Sequence, residues 1–456
     1  MLASGCRRPG WRRGGGGERL TLRVLRVSYI ARAAQNRGRE RALTAAGADV
    51  TLVVPSAWPD PEAETTLSPE PFPIVELPVR RPGDENRHRQ LDASDPYRLI
   101  AELKPDLLDI HSEPYSLTAR EWLRAADREL PVVMYSAQNI DKRYPPPFYR
   151  YEQAALRRAG AFYPCARQVA SVLRGKGFAG RIEVLPLGYD AGVFSPGSQS
   201  LDADEIVLML VGRLVPEKGG LDAVRTLARI NALRPARLVF SGQGPDEARA
   251  KALAKSLGLS SRVEFRPWQN QPELGGDYRR AHVVLVPSRP TLRWVEQFGR
   301  VIVEAQASGA VVAGYANGAI PDVAGEAGAL VATGDVDGLA AGVERVIGDP
   351  QEFARRREAG FALSATRTWD AVAASQLALY HEVLAGEPVR LALPRSPRRR
   401  RERARAEFGP SAATAAGVRP FALPLLRHGG PAVDLLGAAI DAFAELAARA
   451  VPSSSR

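Results

Sequence analysis

Two successive series of short apolar, β-branched runs, each run followed by a stretch with helical spacing of its apolar residues, constrain this chain more than any other feature. The first series has strand-like runs at residues 21–28, 50–54, 74–77, 107–111 and 132–135, with helical spacing over 35–46, 96–103 and 117–126. The second opens at 206–212, which is too continuously apolar for a half-exposed strand, and continues through 238–241, 263–265, 282–286 and 311–314, with helices over 221–233 and 247–257. Strands alternating with helices predict a parallel sheet covered on both faces, and two series predict two such sheets. The polar stretch 196–203 between them reads as a linker and natural hinge. Ligands of open parallel sheets lie outside the carboxyl ends of the strands, so chemistry is to be sought there.

Composition narrows the function classes. At 456 residues, with 45% hydrophobic and 25% charged residues, the chain reads as a soluble globular protein of two or three domains. A formal charge of +11 would suit a nucleic-acid binder. The excess belongs to the ends, however: residues 1–19 carry five Arg against one Glu, and 386–456 carry twelve Arg against six acids. Residues 20–385 are therefore nearly neutral, and no specific nucleic-acid partner is expected. The two cysteines, Cys6 and Cys165, form no framework, and five scattered histidines support no metal cluster, so metal and cofactor are both expected to be absent. Cysteine usage suits a reducing, cytoplasmic setting. Neither an export signal nor a transmembrane run is legible.

The richest stretch is 286–309. A strand ends at Pro287, Pro290 and Thr291 begin a loop, and a helix is expected to start near Gln297 to Gly299. Its first amides favour oxygen-rich groups. Glu296 would lie beside those amides and Glu304 about two turns further on; each carboxylate could accept hydrogen bonds from paired sugar hydroxyls. Alone, two acids at this spacing are as easily a solvated surface pair. A second stretch, residues 212–220, places Arg213 and Lys218 in a glycine-bearing loop between a strand end and a helix start, where two cations could neutralise a diphosphate. Gly242 follows another strand, and Trp268 could stack on a base or simply pack. His111, leaving a strand of the first series, could act in proton transfer or be a buried neutral residue.

Together these segments resemble retaining glycosyltransferases of family 4. The resemblance rests on the two glutamates Glu296 and Glu304 with their Phe298-Gly299 context, on Gly212-Arg213 with Glu217-Lys218-Gly219, on Pro186-x-Gly188-x-Asp190 followed by Phe194-x-Pro196, and on Asn317 to Asp322. It covers about residues 21–385. It implies a GT-B fold of class α/β, two Rossmann-like parallel-sheet domains facing across a cleft. Residues 20–195 would form the acceptor domain, joined by a crossover helix in 366–385, and 196–365 the donor domain. It further implies a metal-independent hexosyltransferase that uses a nucleoside diphosphate sugar and retains anomeric configuration. The acceptor would be a glycan, a lipid or a small molecule, with a place in polysaccharide or cell-envelope synthesis. Arg213 and Lys218 would hold the diphosphate, Glu296 with Gln297, Phe298 and Gly299 the sugar, Glu304 the ribose, and Gly242 and Trp268 the rest of the nucleotide. His111 would reach the transferred sugar. The chain departs from the pattern in two places: Tyr29 to Ala34 replaces a glycine pair, and the histidine stands one place before Ser112-Glu113-Pro114. A sugar-nucleotide epimerase or hydrolase, or a non-catalytic nucleotide-sugar binder or scaffold, would share much of this site.

The ends lie outside the resemblance. Residues 1–19 read as a disordered basic tail, and 394–405 as a disordered basic linker. Val433, Leu436, Ile440, Phe443 and Ala447 form one apolar stripe of an amphipathic helix suited to peripheral contact with a protein or membrane.

Overall fold

The computed structural model describes residues 21–60, 62–291, 294–386 and 390–410. The expected N-terminal tail and the helix over 433–447 lie outside these residues.

The first sheet draws on β1 (Arg23–Ser28), β2 (Asp49–Pro55) and β3 (Ile74–Leu77); a small antiparallel hairpin, β4 (Val79–Arg80) with β5 (Arg89–Gln90), hangs beside it. It continues with β6 (Leu107–His111), β7 (Val132–Ser136), β8 (Ala161–Pro164) and β9 (Arg181–Ile182). The seven strands stand in the order β3-β2-β1-β6-β7-β8-β9, and every pairing is parallel. The second sheet consists of β10 (Ile206–Val211), β11 (Ala236–Ser241), β12 (Val263–Arg266), β13 (Val283–Val286), β14 (Val311–Tyr315) and β15 (Ala329–Val331). Its order is β12-β11-β10-β13-β14-β15, again all parallel. Both sheets reverse direction of strand addition at their first strand, which is where an open parallel sheet forms its crevice. Central strands are buried on both faces, which is why Ile206–Val211 and Val283–Val286 read as unbroken apolar runs.

The helix Trp369–Ala385 closes the chain back onto the first sheet. Its Trp369 fits against Gly188 and Gly38; a Cβ on Gly188 would come within 2.4 Å of the indole and one on Gly38 within 2.1 Å. Deeper in, Gln376 donates to Asp109 at 2.9 Å, and Tyr380 also donates to Asp109. Asp109 in turn pairs with Arg26, a wholly buried guanidinium in β1 that also pairs with Glu40. Tyr163 completes this polar knot between β1, β6, β8 and the closing helix.

The basic run expected to be a disordered linker is instead helical over Pro397–Phe408. Arg, Ala and Glu favour helix, and a proline opens it at the first turn. Docking then holds it: Ala404 is buried, and Glu407 forms a two-point pair with Arg174 of the helix Arg167–Lys176, at 3.0 and 3.1 Å.

Candidate active site

Four loops at the strand ends build the site. After β10, Gly212 (φ +130°) turns the chain, the short 3₁₀ turn Pro216–Lys218 follows, and Gly219 (φ +69°) leads into the helix Gly220–Asn231. A Cβ at Gly219 would fall 2.0 Å from the carbonyl oxygen of Pro287, so this loop lies directly on the end of β13. That approach brings Lys218 to the loop after β13. Its Nζ donates to Glu296 Oε2 at 2.7 Å and stands 4.9 Å over the Trp294 ring. Ser288 Oγ donates to the same carboxylate oxygen at 3.3 Å. Two residues selected from distant stretches of sequence are thus in contact. Arg213, on the same loop, is exposed, and its guanidinium has no hydrogen-bond partner among the described residues.

The helix after β13 spans Arg300–Ala307, a little later than expected, because Gly299 adopts the left-handed conformation (φ +79°) as its N-cap. Gln297 and Phe298 therefore lie in the preceding loop, Phe298 buried and the Gln297 carbonyl facing Cys165 Sγ at 3.8 Å. Glu304 is buried one turn into the helix. It accepts from Tyr278 Oη at 3.1 Å, and Arg300 Nε lies 3.2 Å from its other oxygen. Burial raises its pKa, with Arg300 and the Tyr278 hydrogen bond opposing the rise.

Gly242 (φ +134°) packs its loop on that of Gly212, where a Cβ would meet the Gly212 carbonyl at 2.2 Å. Trp268, in the loop after β12, is 47% exposed. The opposite half reaches across: Asn139 Nδ2 donates to the Glu296 carbonyl at 2.9 Å, Gln168 Nε2 to that of Gly318 at 2.5 Å, and Ile140 packs on Val295. Arg300 Nη1 donates to Asn36 Oδ1 at 3.0 Å.

His111 is the last residue of β6 and lies inside the first domain, 4% exposed and stacked on Tyr135 at 3.9 Å. Its Nδ1 is 3.1 Å from Arg26 Nη2. A guanidinium only donates, so Nδ1 accepts and the proton sits on Nε2, for which no partner is found among the described residues. Burial, then the charges of Arg26 and Arg39, hold its pKa well below the usual histidine value. The geometry does not bring it to Lys218 or Glu296. Where a glycine pair was missing, Tyr29 packs with Trp58 and His88 at ring distances of 4.8 and 5.3 Å, and Arg32 turns away to bond the carbonyls of Glu64 and Thr65 at 2.8 Å. Sequence reading missed Ser288, Trp294, Tyr278, Arg300 and Asn36. Ser288, Trp294 and Arg300 stood inside the stretch already singled out, whereas Tyr278 and Asn36 carried no signal.

Comparison with known proteins agrees with this architecture. The Glycosyltransferase Family 4 model matches residues 40–193, and that of Glycosyl transferases group 1 matches 195–362. D-inositol 3-phosphate glycosyltransferases are similar: that of Mycobacterium avium (strain 104) is 34% identical over 235 residues, which is 48% of this chain and 53% of the relative. That of Acidothermus cellulolyticus is 34% identical over 225 residues, 45% of this chain and 49% of the relative. The chain spans about half the length of the curated relatives it matches. Among solved structures, a sucrose-phosphate synthase from Thermosynechococcus elongatus superimposes with TM-score 0.63 at 20% identity, covering 80% of this chain and 99% of the other. Anabaena HepE in complex with UDP and glucose gives 0.60 at 18% identity, covering 79% and 99%. With the two family models meeting at the hinge and both sheets in parallel order, the chain belongs to the family 4 glycosyltransferases and has their GT-B fold.

Proposed function

We propose that the protein transfers a hexose-type sugar from a nucleoside diphosphate sugar to a carbohydrate, lipid-linked or small-molecule acceptor, with retention and without a metal. The contact that carries this reading is Lys218 on Glu296 at 2.7 Å, with the exposed Arg213 on the same loop, its guanidinium unpaired among the described residues. In this reading Arg213 and Lys218 take the diphosphate, Glu296 the hydroxyls of the sugar and Glu304 those of the ribose. As the glycosidic bond breaks, negative charge gathers on the leaving phosphate, and fixed cations stabilise it more than the ground state. Departure and attack on one face make a phosphate oxygen the proton acceptor for the incoming hydroxyl. Asn139 and Ile140 contact the Glu296 segment from the first domain and would help keep water from the cleft.

The test is a thermal-shift screen of UDP-, GDP- and ADP-sugars followed by product analysis with a panel of acceptors, D-inositol 3-phosphate among them. A donor at a hundred times its dissociation constant adds about 2.7 kcal/mol of stability. Stabilisation by none of them would overturn the assignment. The burial of His111 favours a second reading, a nucleotide-sugar-binding protein that does not transfer; binding without consumption across the panel would support it. Cysteine usage supports a cytoplasmic setting, and among the described residues no helix is long and apolar enough to cross a membrane.

A further inference from the structure

Arg300 stands where helix energetics alone would not put a cation. It is the first residue of the helix Arg300–Ala307, and the positive end of the helix dipole disfavours a basic side chain there. Its guanidinium has two partners on opposite halves of the molecule: Nε lies 3.2 Å from Glu304 Oε1, and Nη1 donates to Asn36 Oδ1 at 3.0 Å. Asn36 is itself fixed, its Nδ2 donating to the Ile30 carbonyl at 3.0 Å in the loop after β1. Neighbouring Gln35 bonds Glu62, whose carboxyl feels both Arg300 and Glu304. Loops of the first sheet thus converge on one guanidinium of the second.

We infer that Arg300 is a positioning residue that couples nucleotide binding to engagement of the two halves, one edge orienting the Glu304 carboxylate and another holding Asn36. The inference rests on the reading of Glu304 as the ribose carboxylate. A planar fork serves two acceptors at fixed angles, which a lysine ammonium would not. When ribose hydroxyls fix Glu304, Arg300 loses freedom and holds Asn36 for more of the time; by linkage, engagement of Asn36 favours nucleotide to the same degree.

The charged and titratable groups facing Glu304 are Tyr278, Arg300 and Glu62. Without Arg300, the carboxyl keeps its burial and loses its cation, so its proton is lost at higher pH. Nucleotide affinity, which needs the carboxylate, then falls at higher pH than in the parent.

The experiment measures UDP, GDP and ADP binding by calorimetry from pH 5 to 8, together with hydrogen exchange of residues 30–36 with and without nucleotide. Arg300→Leu is expected to lose about tenfold in affinity at neutral pH, to shift the pH profile upward and to lose nucleotide-induced protection of 30–36. Arg300→Lys is expected to recover most of the affinity but not the protection. Asn36→Ala should keep the pH profile, lose the protection, and lose affinity by the same factor as that by which nucleotide protects 30–36 in the parent. Unchanged affinity and pH profile in Arg300→Leu, or protection retained in all three variants, would overturn the inference while leaving the site standing. Failure of the parent to bind any of the nucleotides would instead overturn the reading of the site, and the inference with it.

Discussion

Lys218 and Glu296 show how much one contact decides. Their ion pair is largely shielded, Glu296 at 7% exposure, and each would serve the other as a place-holder until phosphate and sugar arrive. Lys218→Ala is expected to lower turnover by about a hundredfold or more while leaving the circular dichroism spectrum unchanged, as loss of a charge-stabilising group does; full activity would sink the assignment. His88 gives a pH prediction. It is buried, its Nδ1 is 2.9 Å from the Asp84 carbonyl, and burial pushes its pKa down to about 4 against the hydrogen bond and charge of Asp84. The unfolded chain binds this proton near pH 6.5, so between about pH 6.5 and 4 it holds more protons than the native state and stability falls as pH falls. Denaturant titrations at pH 7 and pH 5 should differ by about 2 kcal/mol more in the parent than in His88→Gln.

Among elements, the crossover helix expected from the resemblance in 366–385 stands at Trp369–Ala385, but what fastens it was not legible. The spacing of Val372, Leu377, Tyr380 and Val383 announces an apolar face, while the fixing contacts are Gln376 and Tyr380 on Asp109. Asp109 is in the middle of an apolar strand, and nothing in its neighbourhood says that Arg26, far away in sequence, lies beside it. Asp109→Ala would leave a buried guanidinium with one carboxylate fewer and take the shared acceptor from the Tyr163 and Tyr380 hydroxyls, a loss of about 3–5 kcal/mol. It is expected to lower the urea midpoint and to open amides of 369–385 to hydrogen exchange before the rest; exchange that stays uniform would count against the knot as the helix's anchor. The helix Pro397–Phe408 was missed for the converse reason. Its arginine-rich sequence has no apolar stripe of ordinary width, and docking rests on Ala404, Phe408 and the pair of Glu407 with Arg174. The short β8 escaped too, being four residues ending at a proline.

At the scale of the molecule, two sheets share one chain reversal. The connector Pro186 to Asp190 passes under Trp369, and Gly188 leaves room for the indole where any side chain would collide. Gly188→Val is expected to cost about 1–3 kcal/mol by overpacking. Because it strikes the joint, we expect thermal unfolding in calorimetry to broaden or split as the two halves lose cooperativity. A single sharp transition at the parent temperature would show that the joint does not couple them. Contacts across the cleft include polar ones from Asn139, Gln168 and Arg300 and the packing of Ile140 on Val295, and one apolar cluster holds buried residues of both halves, Cys165 and Ala166 with Phe298 and Ile302 among them.

By itself the sequence determined the fold class and singled out the residues proposed for the donor side. The alternation of apolar runs and helical stretches is a local pattern, and Arg213, Lys218 and Glu296 stand in loops whose glycines and prolines mark strand ends, with Glu304 on the helix that follows. Tertiary structure alone decided which of them meet. Lys218 reaches Glu296 because Gly219 allows the backbone onto Pro287, a distance no spacing encodes. It also decided that His111 is held neutral behind Tyr135, that Arg26 is buried, and that Arg300 reaches Asn36. Each of these depends on partners tens to hundreds of residues away, brought close only when parallel strands are stacked in an order different from their order in the chain.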